Sequence, residues 1–306
     1  MKIFAKECIY AIAGTCVMIC ALYADNTALM EASAAGSGEI PTVFIPVMDV
    51  NNVNPAMIAA KNDEVNATIA VTAMPAMTGL DTGDLRDFQF SGIAGNRIFG
   101  ITGLGLYYSS AIFDTVSVYR EIEINVLYSK QVTSGILLGA VIKNNNKAYN
   151  SSSSTGVPDG SDNDNELSFG TGIVYYFAKD MTADLYVNKA LYSLNFKGVP
   201  FDAQMISYTS AVTKVFQEKL TVNIGLDLTG DGTYAVKSGQ RYNIISVPAI
   251  KFDVASGVIL NNDMNGIAFT AGLGAVIVQR IHVNLAAKFP LNRGMVLYGF
   301  TVGAAF

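Results

Sequence analysis

Along most of the chain, apolar and polar residues alternate with a period of two. In the last twelve residues, Met295–Phe306, one face of an extended segment collects Val296, Tyr298, Phe300, Val302, Ala304 and Phe306. The other face collects Leu297, Gly299, Thr301, Gly303 and Ala305. Leu220–Thr229 is cleaner still: Leu220, Val222, Ile224, Leu226 and Leu228 oppose Thr221, Asn223, Gly225 and Asp227. The same pattern predicts strands at Val65–Met74, Leu85–Gly95, Ile98–Ser109, Arg120–Ser129, Thr133–Asn144, Glu166–Phe177, Met181–Leu194, Ala203–Phe216, Ile267–Val278 and Ile281–Phe289. Short connections such as Asn96-Arg97 and Gln217–Lys219 alternate with longer ones. The longest, Asn145–Asn165, contains Ser151–Ser154 and a run of Asp and Asn, a composition that predicts an exposed, mobile loop.

Arg241–Leu260 blurs the alternation, because Pro248 interrupts an apolar run. Read as one strand, it gives thirteen in all and leaves the two ends of a closed sheet on opposite sides. Split into Tyr242–Val247 and Ile250–Leu260 it gives fourteen, with both ends on one side, as a membrane barrel requires. From residue 65 onward that is about 17 residues per strand with its connection, enough for spans of roughly 10 residues.

Composition explains why a barrel is preferred to a soluble sandwich. Hydrophobic residues make up 51% and charged residues 15%, yet after the first 24 residues no uninterrupted apolar run is long enough for a membrane helix. The apolar side chains are dispersed at every second position, so each strand presents one face to an apolar solvent. The 28 glycines suit close strand packing, and with no Trp the 15 tyrosines and the phenylalanines must serve as interfacial anchors. A chain ending on Phe306 at the tip of an apolar strand face resembles bacterial outer-membrane β-barrels. That resemblance makes Phe306 an assembly signal and the barrel-assembly machinery and outer-membrane lipid its partners.

Lys2 and Lys6 precede the apolar run Cys8–Leu22, and Ala24 stands before Asp25, so residues 1–24 read as a secretory signal peptide. Cys8, Cys16 and Cys20 all lie within it, which leaves no thiol chemistry to the mature chain; lipidation at Cys20 is the rival reading. Removing Lys2 and Lys6 from the 20 basic residues and Glu7 from the 25 acidic ones leaves a net charge of −6, which argues against a nucleic-acid partner.

Residues 25–62 differ from the rest. Asn54 is a helix N-cap, Pro55 suits the first helical position, and Ala56–Lys61 are helix formers. This Asn54-Pro55-Ala56, set between a signal peptide and the first strand of residues 63–306, resembles the FadL family of outer-membrane transporters, with which PorV-like barrels share the feature. The resemblance implies a fourteen-stranded transmembrane barrel, a plug formed by residues 25–62, hydrophobic small-molecule substrates and a bacterial outer-membrane location. It also implies a break in the third strand that opens the wall sideways, to which Gly100, Gly103 and Gly105 would correspond. The loops are too short for the FadL external lid, so a PorV-like or structural barrel that binds proteins stays open as the other class.

No enzyme, cofactor or metal signature stands out. His282 is the single histidine, and Asp227–Gly232 lacks the later Glu of a calcium loop and reads as an Asp-Gly turn. The face opposite the lipid carries Glu121, Glu123, Asn125, Asn223, Asp227, His282, Asn284 and Lys288, with apolar Leu137, Val141, Val174, Val276 and Leu297 among them. A mixed inner wall suits an amphipathic or hydrophobic solute; packing against a plug would account for the apolar residues equally well. If Phe306 is read during assembly, Phe306→Asp is expected to leave export to the periplasm intact and to abolish the faster gel migration of unheated, folded protein. Normal folded yield would contradict it.

Overall fold

The computed structural model describes residues 53–60, 67–73, 84–96, 98–113, 116–152, 158–195, 206–230, 232–247, 249–262, 266–278, 280–291 and 297–305. The signal peptide, Cys20, residues 25–52 and Phe306 lie outside these residues.

The chain is a transmembrane antiparallel β-barrel. Its strands are β1 (Ala67–Ala73), β2 (Asp84–Asn96), β3 (Gly100–Phe113), β4 (Val116–Thr133), β5 (Ile136–Ser152), β6 (Pro158–Ala178), β7 (Met181–Asn195), β8 (Ile206–Phe216), β9 (Leu220–Thr229), β10 (Tyr234–Val247), β11 (Ile250–Asn261), β12 (Ile267–Ile277), β13 (Ile281–Pro290) and β14 (Leu297–Ala305). Each pairs with its sequence neighbours, and β1 pairs with β14 from Thr68↔Ala305 to Ala73↔Phe300, so the sheet closes on itself. Among the described residues no helix is long and apolar enough to cross a membrane.

Alternation decides which side chains face the lipid. On β4, Ile124, Val126 and Tyr128 are exposed, whereas Asn125, Leu127 and Ser129 are buried. On β12, Ile267, Phe269 and Leu273 point outward, and Ala268 and Thr270 inward. In a closed sheet every main-chain group inside the apolar belt finds a partner on a neighbouring strand, which is the condition for crossing a bilayer without helices.

Three expectations need correction. Asn145–Asn165 is not a loop for most of its length: β5 and β6 stay paired from Asn145↔Glu166 out to Ser152↔Pro158. At about 3.3 Å per residue, the 21-residue β6 outruns an apolar belt about 25 Å tall. The polar end of this hairpin therefore stands in water, where Asn, Ser and Asp are compatible with a ladder.

The second concerns β3, which has no gap at the three glycines. Gly103 and Gly105 are laddered on both sides, to Ile93 and Ser91 of β2 and to Leu127 and Asn125 of β4, without a shift of register. Gly100 sits in the left-handed region (φ 94°) where the β2–β3 hairpin closes, and a Cβ there would lie 2.6 Å from the Tyr128 hydroxyl. Gly100 thus serves the hairpin turn, and neither ladder is broken at Gly103 or Gly105.

Thirdly, β10 begins at Tyr234, eight residues before the predicted Tyr242. Its blurred pattern has a local cause: the register to β11 shifts between Asn243 and Ile245, and the consecutive Ile244 and Ile245 are both exposed. The β10–β11 ladder ends at Val247↔Ile250, as the split at Pro248 anticipates.

Candidate functional site

The site is built around Val53–Ala60. Pro55–Ala60 forms a 3-10 helix, and Asn54 caps it, its Oδ1 accepting the Ala56 N–H at 3.0 Å while its carbonyl accepts the Met57 N–H. The segment lies on the inner face of the barrel. Ala56 and Ile58 are 0% exposed, and both pack on inward side chains of the wall.

Two glycines make the docking possible. Gly139 on β5 and Gly172 on β6 are cross-strand partners. A Cβ at Gly139 would overlap the backbone at Pro55–Ala56, and one at Gly172 would overlap the Asn54 side chain. With that space free, Asn54 Nδ2 donates to the carbonyls of Ile173 and Leu185, both at 3.2 Å, and stands beside the Asp184 carboxyl. From β4, the Ser129 hydroxyl accepts the Ala59 N–H at 3.1 Å and lies 3.2 Å from the Ala56 carbonyl. The main-chain groups of a turn too short to satisfy itself are thus paired with the wall.

Apolar contacts complete the dock in two clusters. Val53 and Ile58 pack with Ile93, Ile101, Leu127 and Val141; Ala56, Met57 and Ala59 pack with Leu137 and Val174. This sector, β2 to β6, is the apolar side of the interior.

The other sector is polar. On β9, Thr221 and Asn223 are buried; on β10, Arg241 pairs with Asp253 of β11 at 2.7 Å, and Lys237 pairs with Asp227. Gly274 of β12 leaves room for a continuing row, since a Cβ there would lie 2.6 Å from Asp253 Oδ1 and 2.9 Å from Asn284 Oδ1. Asn284 and His282 are buried on β13, opposite Thr301 and Gly303 of β14.

Glu121, Glu123 and Asn125 share the inner face of β4 at the end away from the β4–β5 turn. Asn125 donates to Glu123 at 2.7 Å, Lys143 stands 3.9 Å from Glu123, and Lys147 stands 3.6 Å from Glu121. Of the other residues singled out in the sequence, Lys288 is half-buried on the same inner face as His282, and Val276 is half-buried on β12. The side chain of Leu297 lies outside the described residues.

The structure therefore gathers Asn54, Pro55 and Ala56 on the apolar side with Leu137, Val141 and Val174. Asn223, Asp227, His282 and Asn284 lie on the polar side. Sequence reading missed Gly139 and Gly172 as a dock, along with Ser129, Asp184, Lys237, Arg241 and Asp253. Ser129 and Asp184 were there to be found, because both fall on the inward parity of their strands. Lys237 and Arg241 were missed because they precede Tyr242, where the predicted strand began. Among the described residues no group of three or more His, Cys, Asp or Glu is placed to hold a metal ion.

No family model and no curated protein matches the chain. Solved structures do. The toluene transporter TbuX of Ralstonia pickettii aligns with a TM-score of 0.66 at 10% identity, covering 90% of this chain and 98% of that one. The toluene transporter TodX of Pseudomonas putida aligns at 0.58 and 12%, covering 92% and 98%. A FadL homologue of Pseudomonas aeruginosa aligns at 0.57 and 12%, covering 93% and 99%. At such identities the likeness is one of fold: this chain has the fold of the FadL/TodX transporter barrels.

The dock makes a local prediction. Asn54→Ala removes the cap, worth about 1 kcal/mol, and both bonds to the wall. Exchange of the Ala56 amide in mild detergent should then accelerate at least about fivefold, and Gly172→Val should accelerate it further. Unchanged exchange in both variants would show that the turn is held by other contacts.

Proposed function

We propose that the chain is a bacterial outer-membrane channel for passive uptake of hydrophobic small molecules, such as long-chain fatty acids or aromatic hydrocarbons, and that the segment ending in Val53–Ala60 is its plug. The observation that carries this reading is the apolar sector inside the barrel. Leu127, Leu137, Val141 and Val174 face the interior at membrane height, and each is 2% exposed or less beneath the docked turn.

An aqueous pore has no use for such a wall, because water gains nothing there and apolar solutes bind to it. A solute that displaces the turn, or lies beside it, finds an apolar surface facing a wall of paired charges and amides. That arrangement suits a molecule with a long apolar body and one polar end. Loading needs only a difference in affinity between water and lumen, and release needs a turn with two arrangements of similar energy. The likeness to barrels described as toluene transporters and a FadL homologue supports the substrate class. Nothing in the chain suggests nucleotide binding or energy coupling, so flow follows the gradient.

A PorV-like barrel that binds proteins is the second reading, favoured by the β5–β6 hairpin, whose strands stay paired beyond the belt. Uptake separates the two. Cells lacking the protein should take up long-chain fatty acids or aromatic hydrocarbons several-fold more slowly. Gly139→Trp, which fills the space of Pro55–Ala56, should reproduce the defect at normal folded yield. Equal uptake across several apolar solutes, with and without the protein, would overturn the transport reading.

A further inference from the structure

Lipid tails neither donate nor accept hydrogen bonds, so the outward face of a membrane barrel is apolar wherever nothing else covers it. The outer face of β10 and β11 departs from this. Ser238 and Gln240 point outward and are exposed, and Ser256 lies across the ladder from Gln240. Gln240 Nε2 donates to Ser256 Oγ at 3.2 Å. Among the described residues, neither the side-chain amide oxygen of Gln240 nor the Ser238 hydroxyl has a hydrogen-bond partner in the barrel.

The three lie along the middle of β10 and β11, away from the strand ends. On the same face of β10, Tyr234 and Val236 stand on one side of them and Tyr242 on the other, all exposed. On β3 and β6, by contrast, the outward Thr102 and Thr171 each stand singly, across from Ala94 in the one case and from Ala140 and Val187 in the other. The patch floors a depression of about 390 Å³ bordered by Val222, Val258 and Phe269.

What covers it must fill the depression and bring hydrogen-bonding groups to the middle of the membrane. An acyl chain does the first and not the second; a lipid headgroup sits at the wrong depth. A second copy meets both conditions. Rotation about a two-fold axis along the membrane normal keeps every residue at its own depth and sets the same patch against itself. Serine hydroxyls and a glutamine amide each donate and accept, so the patch is its own complement. Phe269, 45% exposed on the rim, supplies the ridge that enters the facing depression.

We propose that the barrel forms a two-fold homodimer in the bilayer through the outer face of β10 and β11, centred on Gln240. This concerns assembly and is independent of what the lumen carries. Single cysteines at Ser238, Gln240 or Ser256 in the full chain should form disulfide-linked dimers under mild oxidation in membranes. Val126→Cys, on the outer face of β4, should not, and wild-type protein sets the background. Gln240→Leu should weaken association by about tenfold, the scale of polar contacts between membrane-embedded segments, as read by single-molecule photobleaching in dilute bilayers. The proposal falls if Gln240→Cys crosslinks no more than Val126→Cys, if the product has a mass other than two chains, or if Gln240→Leu leaves the dimer fraction unchanged.

Discussion

The structure depends on one constraint: main-chain N–H and C=O groups in hydrocarbon must be paired, because no water is there to pair them. A sheet meets this only by having no edge. Pairing of β1 with β14 removes the edge, and the remaining features follow from closure. Once the wall is continuous, alternate side chains are committed to lipid or lumen. The outward set, including Val126, Leu138, Ile142 and Phe269, is exposed because the bilayer is its solvent. The inward set is then free to carry polar groups and charges such as Arg241 and Asp253, which pair across strands instead of with water.

Closure also explains how Val53–Ala60 is held. The 3-10 turn cannot satisfy its own main chain, and inside a barrel it must borrow partners from the wall. It does so at one place, where Gly139 and Gly172 face each other and thin the inner surface. Asn54 reaches second lone pairs of β6 and β7 carbonyls, and Ser129 reaches the far end of the turn. The apolar side chains beneath are shielded by the turn, so polar anchoring and apolar packing depend on each other. A side chain larger than hydrogen at either glycine disturbs both.

Much of this was legible before the structure. Parity along Leu220–Thr229 and Arg120–Ser129 separates lipid face from lumen face because a strand's period is two and one face meets lipid. The Asn54-Pro55 pair marked a capped turn for reasons local to those residues. What was not legible is non-local or context-dependent. Asn145–Asn165 reads as a loop because polarity means loop only when the alternative is burial; outside the belt a strand has no apolar solvent to match. The Gly139–Gly172 pair acquires meaning only once register sets the two glycines opposite each other. Glycines in β3 resemble a break in sequence, yet both ladders run through them unshifted.

The central claim is that the apolar sector beside the docked turn is a place where an apolar solute binds. A structure of the lipid-embedded barrel soaked with a brominated alkane or bromobenzene tests it directly, since bromine is located by its own anomalous signal. The account predicts a bromine peak inside the barrel, in contact with Leu127, Leu137, Val141 or Val174. Bromine found only along the outer wall, with the interior unoccupied at saturating ligand, would contradict it.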